Sequence, residues 1–279
     1  MLSKMRQWAW TVVVALVAPF SIMAQASEIT GLEGSVTALA FSPDGKTLAA
    51  ADGGFDLSLW DVASGGRKTK FTGLASGTGR VCWAPDGKTV YGTTGNDWIA
   101  WDVTTNKEKM KVKGEMTRTA PATIALSADG KTIAAVGRGV LKLWNSSTGA
   151  ALGEYEPHPN YAINSVAFSP NGRLIVTTSN DRNAQLTESA GGAAGATFTC
   201  PSRVNAAEFS PDGKTLFVAD QVPSLHQFDV ATGEDKPAPP MSRAAKQNCR
   251  FIGWQIGRMR GLQLGTLVAR GNPLDCAAD

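Results

Sequence analysis

The motif that most resembles a chemical site is Asp-Gly-Lys-Thr, which occurs at residues 44–47, 86–89, 129–132 and 212–215. A Gly-Lys-Thr sequence ends many phosphate-binding loops, where an upstream glycine and the N-terminus of a following helix hold the phosphate. None of the four copies has that glycine, and an apolar run of strand length follows each copy. The motif therefore predicts a tight turn between two strands and not a phosphate site.

Side chains that bind metals or act as nucleophiles are sparse. The two histidines, His158 and His226, are too few for a histidine-rich metal centre, and we interpret both as structural. There is no Cys-x-x-Cys motif, and three complete disulfide pairings are open to the four cysteines: Cys82, Cys200, Cys249 and Cys276. We therefore predict no catalytic residue, no metal site and no cofactor.

The turn motif belongs to a longer block that recurs five times. Its first copy is Phe-Ser-Pro-Asp-Gly-Lys-Thr at residues 41–47, and related blocks begin at residues 83, 126, 168 and 209. The glycines of successive blocks are 41 to 43 residues apart. Such a regular period is the signature of a repeat architecture.

Each repeat contains four runs of strand length, with no helical periodicity. The third run ends in an aromatic residue and an acid or amide: Trp60-Asp61, Trp101-Asp102, Trp144-Asn145 and Phe228-Asp229. The fourth repeat has Thr187-Glu188 at this place and lacks the aromatic. We predict an all-β protein in which each repeat forms one four-stranded blade and these aromatic side chains fill the space between sheets.

The repeated turn and the tryptophan-aspartate strand end resemble the WD40 repeat family over about residues 31–236. The resemblance implies a β-propeller with five recognisable repeats, and the length leaves room for a sixth, degenerate one. The glycine-histidine dipeptide of the family is missing from most copies. Its hydrogen-bonded histidine, serine, aspartate and tryptophan can be carried over only in part, to His158, Ser179 and Asp181, with Thr187 at the tryptophan place. The family also places an outer, ring-closing strand near residues 28–32.

The N-terminus has the pattern of a secretory signal over residues 1–26. Lys4 and Arg6 precede an apolar run that Pro19 interrupts, and Ala24-Gln25-Ala26 is typical of a cleavage site. We predict cleavage near Ala26 and export to the periplasm or the extracellular space. The run is marginal for a membrane span, so none is expected after cleavage.

The remaining chain divides into the repeats at 27–236 and a basic segment at 237–279. This last segment begins Pro-Ala-Pro-Pro and lacks the turn block. A degenerate sixth blade, a flexible extension and an altered chain end are all open interpretations of it. The net charge of the whole chain is only +3, and the central repeats are slightly acidic, so nucleic acid is not an expected partner.

We interpret the chain as an exported, non-catalytic platform for a protein partner of unknown identity, because WD40-like propellers generally present loops to partners. Two alternatives remain: a propeller enzyme or redox-cofactor protein with a site in the central channel, and a structural ring that another chain completes. In the family, two sets of loops share one face. The predicted partner-binding residues on these loops are Arg80, Asp97, Trp98, Arg118, Arg138, Asp181 and Arg203.

Overall fold

The structure is a computed structural model that describes residues 12–14, 27–29, 31–32, 35–52, 56–72, 78–95, 97–113, 123–222 and 225–236. The basic segment at residues 237–279, with its three open interpretations, lies outside these ranges. The described residues include no helix long and apolar enough to cross a membrane. They form strands and turns, as the sequence predicts.

Five antiparallel sheets of four strands follow one another along the chain, and in each sheet the strands pair in sequence order. The strands are β1 (Val12–Val14), β2 (Ser27–Ile29), β3 (Val36–Phe41), β4 (Thr47–Asp52), β5 (Leu57–Asp61), β6 (Arg67–Phe71), β7 (Thr78–Trp83), β8 (Thr89–Thr94), β9 (Asp97–Asp102), β10 (Lys107–Val112), β11 (Thr123–Leu126), β12 (Thr132–Val136), β13 (Leu141–Asn145), β14 (Ala151–Tyr155), β15 (Ile163–Phe168), β16 (Leu174–Ser179), β17 (Asn183–Glu188), β18 (Ala194–Thr199), β19 (Val204–Phe209), β20 (Thr215–Asp220), β21 (Leu225–Asp229) and β22 (Asp235–Lys236). Sheet 1 comprises β3 to β6, sheet 2 β7 to β10, sheet 3 β11 to β14, sheet 4 β15 to β18 and sheet 5 β19 to β22. The predicted four strands per repeat are confirmed.

The repeated turn joins the first two strands of each sheet through its own side chains. In sheet 1 the Ser42 hydroxyl donates to Asp44 Oδ1 at 2.6 Å and accepts the Thr47 N–H at 2.9 Å, while the Lys46 N–H donates to Asp44 Oδ1 at 3.0 Å. The turn glycines of all five copies have φ between 67° and 73°, a left-handed conformation that glycine adopts without strain. The Ser42 hydroxyl and the Asp44 carboxylate of the motif therefore serve the turn, as expected for a turn between strands and not for a phosphate loop.

The aspartate at the end of the third strand caps the next turn in sheets 1, 2 and 5. Asp102 Oδ1 accepts the backbone N–H groups of Thr104 and Thr105, both at 2.8 Å. Asp61 and Asp229 accept equivalent bonds. Hydrogen bonds to these carboxylates lower the pKa of each, from about 3.8 to about 2.

The hydrophobic core lies between neighbouring sheets. Trp101 of sheet 2 is 2% exposed and packs against Phe71 of sheet 1, with 5.8 Å between ring centroids. Trp144 and Phe228 are buried against the preceding sheet in the same way. Trp60 is buried with Leu32, which precedes sheet 1. The predicted role of these aromatics as core residues is confirmed, and the fourth sheet places Thr187 at the equivalent position.

The first strands of consecutive sheets lie side by side, as in the blades of a propeller. The five described sheets do not close into a ring. Strand β2 pairs with β1, and β22 is the outer strand of sheet 5. The ring-closing position expected for residues 28–32 is therefore not what the structure has. Because β1 and β2 lie on opposite sides of the predicted cleavage site, cleavage near Ala26 would remove the partner strand of β2.

Candidate partner-binding face

One edge of the sheets collects most of the predicted partner-binding residues. In an antiparallel sheet the first and third strands begin at the same edge, where the second strand ends. We call this the upper edge, formed by the residues that enter each first strand and by the turn between the second and third strands. Four of the seven predicted residues lie there on exposed or half-buried positions: Asp97, Arg138, Asp181 and Arg203. Arg80 lies within β7 instead. Arg118 lies outside the described residues.

A cleft of about 400 Å³ opens at the upper edge between sheets 4 and 5. Two of the predicted residues, Asp181 and Arg203, line it together. The other lining residues are Tyr161, Asn180, Arg182, Ser202 and Gln221. The cleft therefore joins the two turns that follow β16 and β20 with the two segments that enter β15 and β19.

A buried histidine holds the wall of this cleft. His158 is 0% exposed, and its Nδ1 lies 2.7 Å from Asp181 Oδ2. Because a carboxylate only accepts hydrogen bonds, Nδ1–H donates to Asp181. The Asp181 Oδ1 atom accepts the Asn183 N–H at 2.9 Å. Both carboxylate oxygens therefore accept hydrogen bonds, and the buried His158 side chain holds the Asp181 side chain in place.

The hydroxyl partner of His158 differs from the one predicted. His158 Nε2 lies 3.0 Å from Thr177 Oγ1, whereas the Ser179 hydroxyl accepts the Asp181 N–H at 3.2 Å. Thr177 and Ser179 are two residues apart in β16 and so point to the same side of the strand. The residue farther from the turn is the one that lies level with the imidazole, and Thr177 replaces Ser179 in the predicted network.

Hydrogen bonds between neighbouring segments hold the backbone of both arginines in the cleft. Arg182 has a left-handed φ of 73°, and its carbonyl accepts the Cys200 N–H at 2.9 Å. The Arg203 carbonyl accepts the Gln221 N–H at 2.8 Å. Both arginines are exposed, and within the described residues neither guanidinium has a salt-bridge partner. The fold thus presents two free cations on rigid backbone.

Burial raises the pKa of the nearby Cys200 thiol to about 12, and the negative charges of Asp220 and Asp235 add to this effect. A thiol in this state is not a nucleophile at neutral pH. Across the described ranges, no group of three or more His, Cys, Asp or Glu residues is placed to hold a metal ion. The chemistry that the cleft offers is hydrogen bonding and charge.

Asp97 and Arg138 lie along the same edge but outside the cleft, whereas Arg80 lies within β7. Asp97 Oδ2 lies 3.8 Å from Lys111 Nζ, so its charge is partly compensated. Arg80 is half-buried, and its backbone N–H donates to Thr93 Oγ1 at 3.2 Å. Arg138 is exposed, and its backbone pairs with Ala162, the residue after Tyr161 of the cleft. Arg138 therefore borders the cleft on the side of sheet 3.

Trp98 does not belong to a partner-binding surface, and the prediction for it is wrong. Its side chain is 1% exposed and packs edge-on against Trp144 of sheet 3, with 6.3 Å between ring centroids. Trp98 is the second residue of β9, so it already points into the space between sheets 2 and 3. Tyr91 contacts it from the neighbouring strand. Trp98 is a core residue.

Five residues of the cleft were not identified from the sequence: Tyr161, Asn180, Arg182, Ser202 and Gln221. Their sequence signal is their position. Arg182 and Gln221 stand in the turns after β16 and β20, and Tyr161 and Ser202 precede β15 and β19. Applying the same two loop positions to both sheets would have found all five, since Asn180 stands in the same turn as Arg182.

Comparison with known proteins identifies the repeats. The WD domain, G-beta repeat model matches residues 25–61, and the SMP-30/Gluconolactonase/LRE-like region model matches residues 94–251, more than half of the chain. WD repeat-containing protein 1 of Rattus norvegicus is 32% identical over 161 residues, which cover 55% of this chain and 26% of that relative. The chain therefore spans about a quarter of the relative that it matches. It belongs to the β-propeller proteins, as a WD40-repeat protein whose residues 94–251 form an SMP-30/gluconolactonase/LRE-like region.

Proposed function

We propose that this protein is an exported, non-catalytic interaction module that binds a protein partner at its upper edge. The observation that carries the proposal is the cleft between sheets 4 and 5, where two unpaired arginines stand on backbone fixed by hydrogen bonds. Arginine is enriched among the residues that dominate binding energy at protein interfaces. A fixed backbone also lowers the entropy lost on binding.

The proposal of export rests on the N-terminal sequence. Two basic residues, an apolar run and a small-x-small site at 24–26 form the pattern of a cleaved signal. An oxidising compartment would follow from export. In the described part of the chain both cysteines, Cys82 and Cys200, are thiols. Cys200 is buried, so its thiol is shielded from oxidants.

Partner capture tests the proposed function. The mature protein, immobilised through a C-terminal tag, is incubated with envelope and secreted fractions of its host, and captured proteins are identified by mass spectrometry. Arg203→Ala is compared with Arg173→Ala, which removes another exposed arginine, from the opposite edge of sheet 4. We expect Arg203→Ala to weaken capture of the partner at least tenfold and Arg173→Ala to leave it unchanged. Equal capture by both variants would contradict binding at the upper edge.

A second candidate function is lactone hydrolysis, which the match to the gluconolactonase-like region at residues 94–251 favours. An assay of the purified protein with gluconolactone and added divalent cations separates this candidate from the first. An interaction module leaves the rate at the spontaneous value. Saturable hydrolysis above that rate would establish the enzyme instead.

A further inference from the structure

We propose that the cleft between sheets 4 and 5 binds the carboxylate side chains of an acidic, partly apolar segment of the partner protein. This inference rests on the proposed function and specifies the chemistry of the partner. It depends on three features of the cleft: its charge, its free hydrogen-bond donors and the apolar side chains at its rim.

The charge of the cleft is positive. Its one carboxylate, Asp181, already accepts hydrogen bonds from His158 and Asn183. Arg182 and Arg203 have no acidic partner among the described residues. A guanidinium binds a carboxylate through two parallel N–H donors, a geometry that a single lysine ammonium does not offer. Two such forks in one cleft favour a ligand with acidic side chains.

Ser202 adds a hydroxyl donor between the arginines and the turn after β20. Its Oγ accepts the backbone N–H groups of Gln221 at 3.1 Å and Val222 at 3.0 Å. Because a hydroxyl has one proton and two lone pairs, these bonds leave its O–H free to donate to a ligand. The cleft therefore offers three side chains with free donors and an already occupied carboxylate.

The rim of the cleft distinguishes a protein segment from a small anion. Three large hydrophobic side chains of the described residues are strongly exposed: Leu152, Tyr161 and Val222. Tyr161 lines the cleft and is 50% exposed, and Val222, which is 52% exposed, directly follows the lining residue Gln221. Exposed apolar groups beside polar ones are typical of interaction sites. A free phosphate or acetate would leave them in water, whereas a peptide covers them.

The test uses a pentapeptide of alternating glutamate and leucine as the probe, with the glutamine–leucine analogue and inorganic phosphate as comparison ligands. Amide chemical shifts of the labelled mature protein are followed during titration. We expect saturable shifts at Arg182, Arg203 and Gln221 with the glutamate peptide, and affinity at least tenfold lower for the glutamine analogue. The double variant Arg182→Ala/Arg203→Ala should weaken binding at least tenfold, while Arg173→Ala should have no effect. Affinity should also fall with added salt, because the arginines are exposed.

Equal affinity for the glutamate and glutamine peptides, shifts confined to other surfaces, or phosphate binding as tight as the peptide would each overturn the inference. The result is separable from partner capture. Capture that is weakened by Arg203→Ala, without glutamate-peptide binding in the cleft, would keep the proposed function and reject the acidic ligand. Peptide binding in the cleft without any captured partner would support the acidic ligand and contradict the proposed function.

Discussion

Replacing Trp101 by alanine tests whether the strand-end aromatics hold neighbouring sheets together. Trp101 is 2% exposed and belongs to a buried cluster of residues from sheets 1 and 2, where its ring contacts Phe71. Truncation of a buried tryptophan costs about 3 to 5 kcal/mol, since the transfer energy of the ring is lost and a cavity remains. For a domain of this size we expect a fall in melting temperature of about 6 to 20 °C.

Thr187 provides the matched control because it occupies the same position in sheet 4. It is 3% exposed, so burial is equal, but its side chain is far smaller. Thr187→Ala removes little apolar surface and should cost about 1 kcal/mol. Free energies of unfolding from urea titrations followed by circular dichroism measure both variants. Equal losses for the two variants would refute the assigned equivalence of these positions, and a negligible loss for Trp101→Ala would refute its role between the sheets.

The remaining predictions concern the core, acid stability and export. Trp98→Ala should destabilise the fold by about 3 to 5 kcal/mol in the same titration. A variant as stable as the wild type would contradict the burial of Trp98 in the core. Carboxyl titrations by NMR should place Asp61, Asp102 and Asp229 near pH 2; because the pKa is lowered by folding, their contribution to stability is present above about pH 4 and disappears as the pH falls towards 2. Midpoints near pH 3.8 would contradict the hydrogen bonds between these carboxylates and the turns. Mass spectrometry of the exported product should show Ser27 at the N-terminus, and a product that keeps Met1 would contradict cleavage.

The strands and turns could be predicted from the sequence because their determinants are local. Proline, aspartate and glycine at fixed places select the turn, and Ser42 and Asp44 form its hydrogen bonds within the same few residues. Asp102 likewise caps a turn that begins two residues later. The period then places every copy in the same register, so one correct assignment fixes five sheets.

The site was harder to predict because it depends on which way side chains point and on contacts between sheets. Sequence position put Trp98 beside a loop, but both faces of a blade are covered, so even the second residue of a strand is buried. Thr177 and Ser179 share one side of β16, and only the position of the buried His158 side chain shows which of the two hydroxyls it contacts. Arg182 stands at a periodic loop position, the turn after β16, but only the cleft between two sheets shows that this position is part of a site.

Site-specific photo-crosslinking tests the central claim most directly, because it reports where a partner touches the protein. A benzoylphenylalanine is placed at Gln221 on the upper edge or at Arg173 on the opposite edge of the sheets, and the mature protein is irradiated in the host fractions that contain the partner. Binding at the cleft predicts a crosslinked partner from position 221 and none from position 173. A partner crosslinked from position 173, with none from position 221, would contradict the assignment of the upper edge as the binding face.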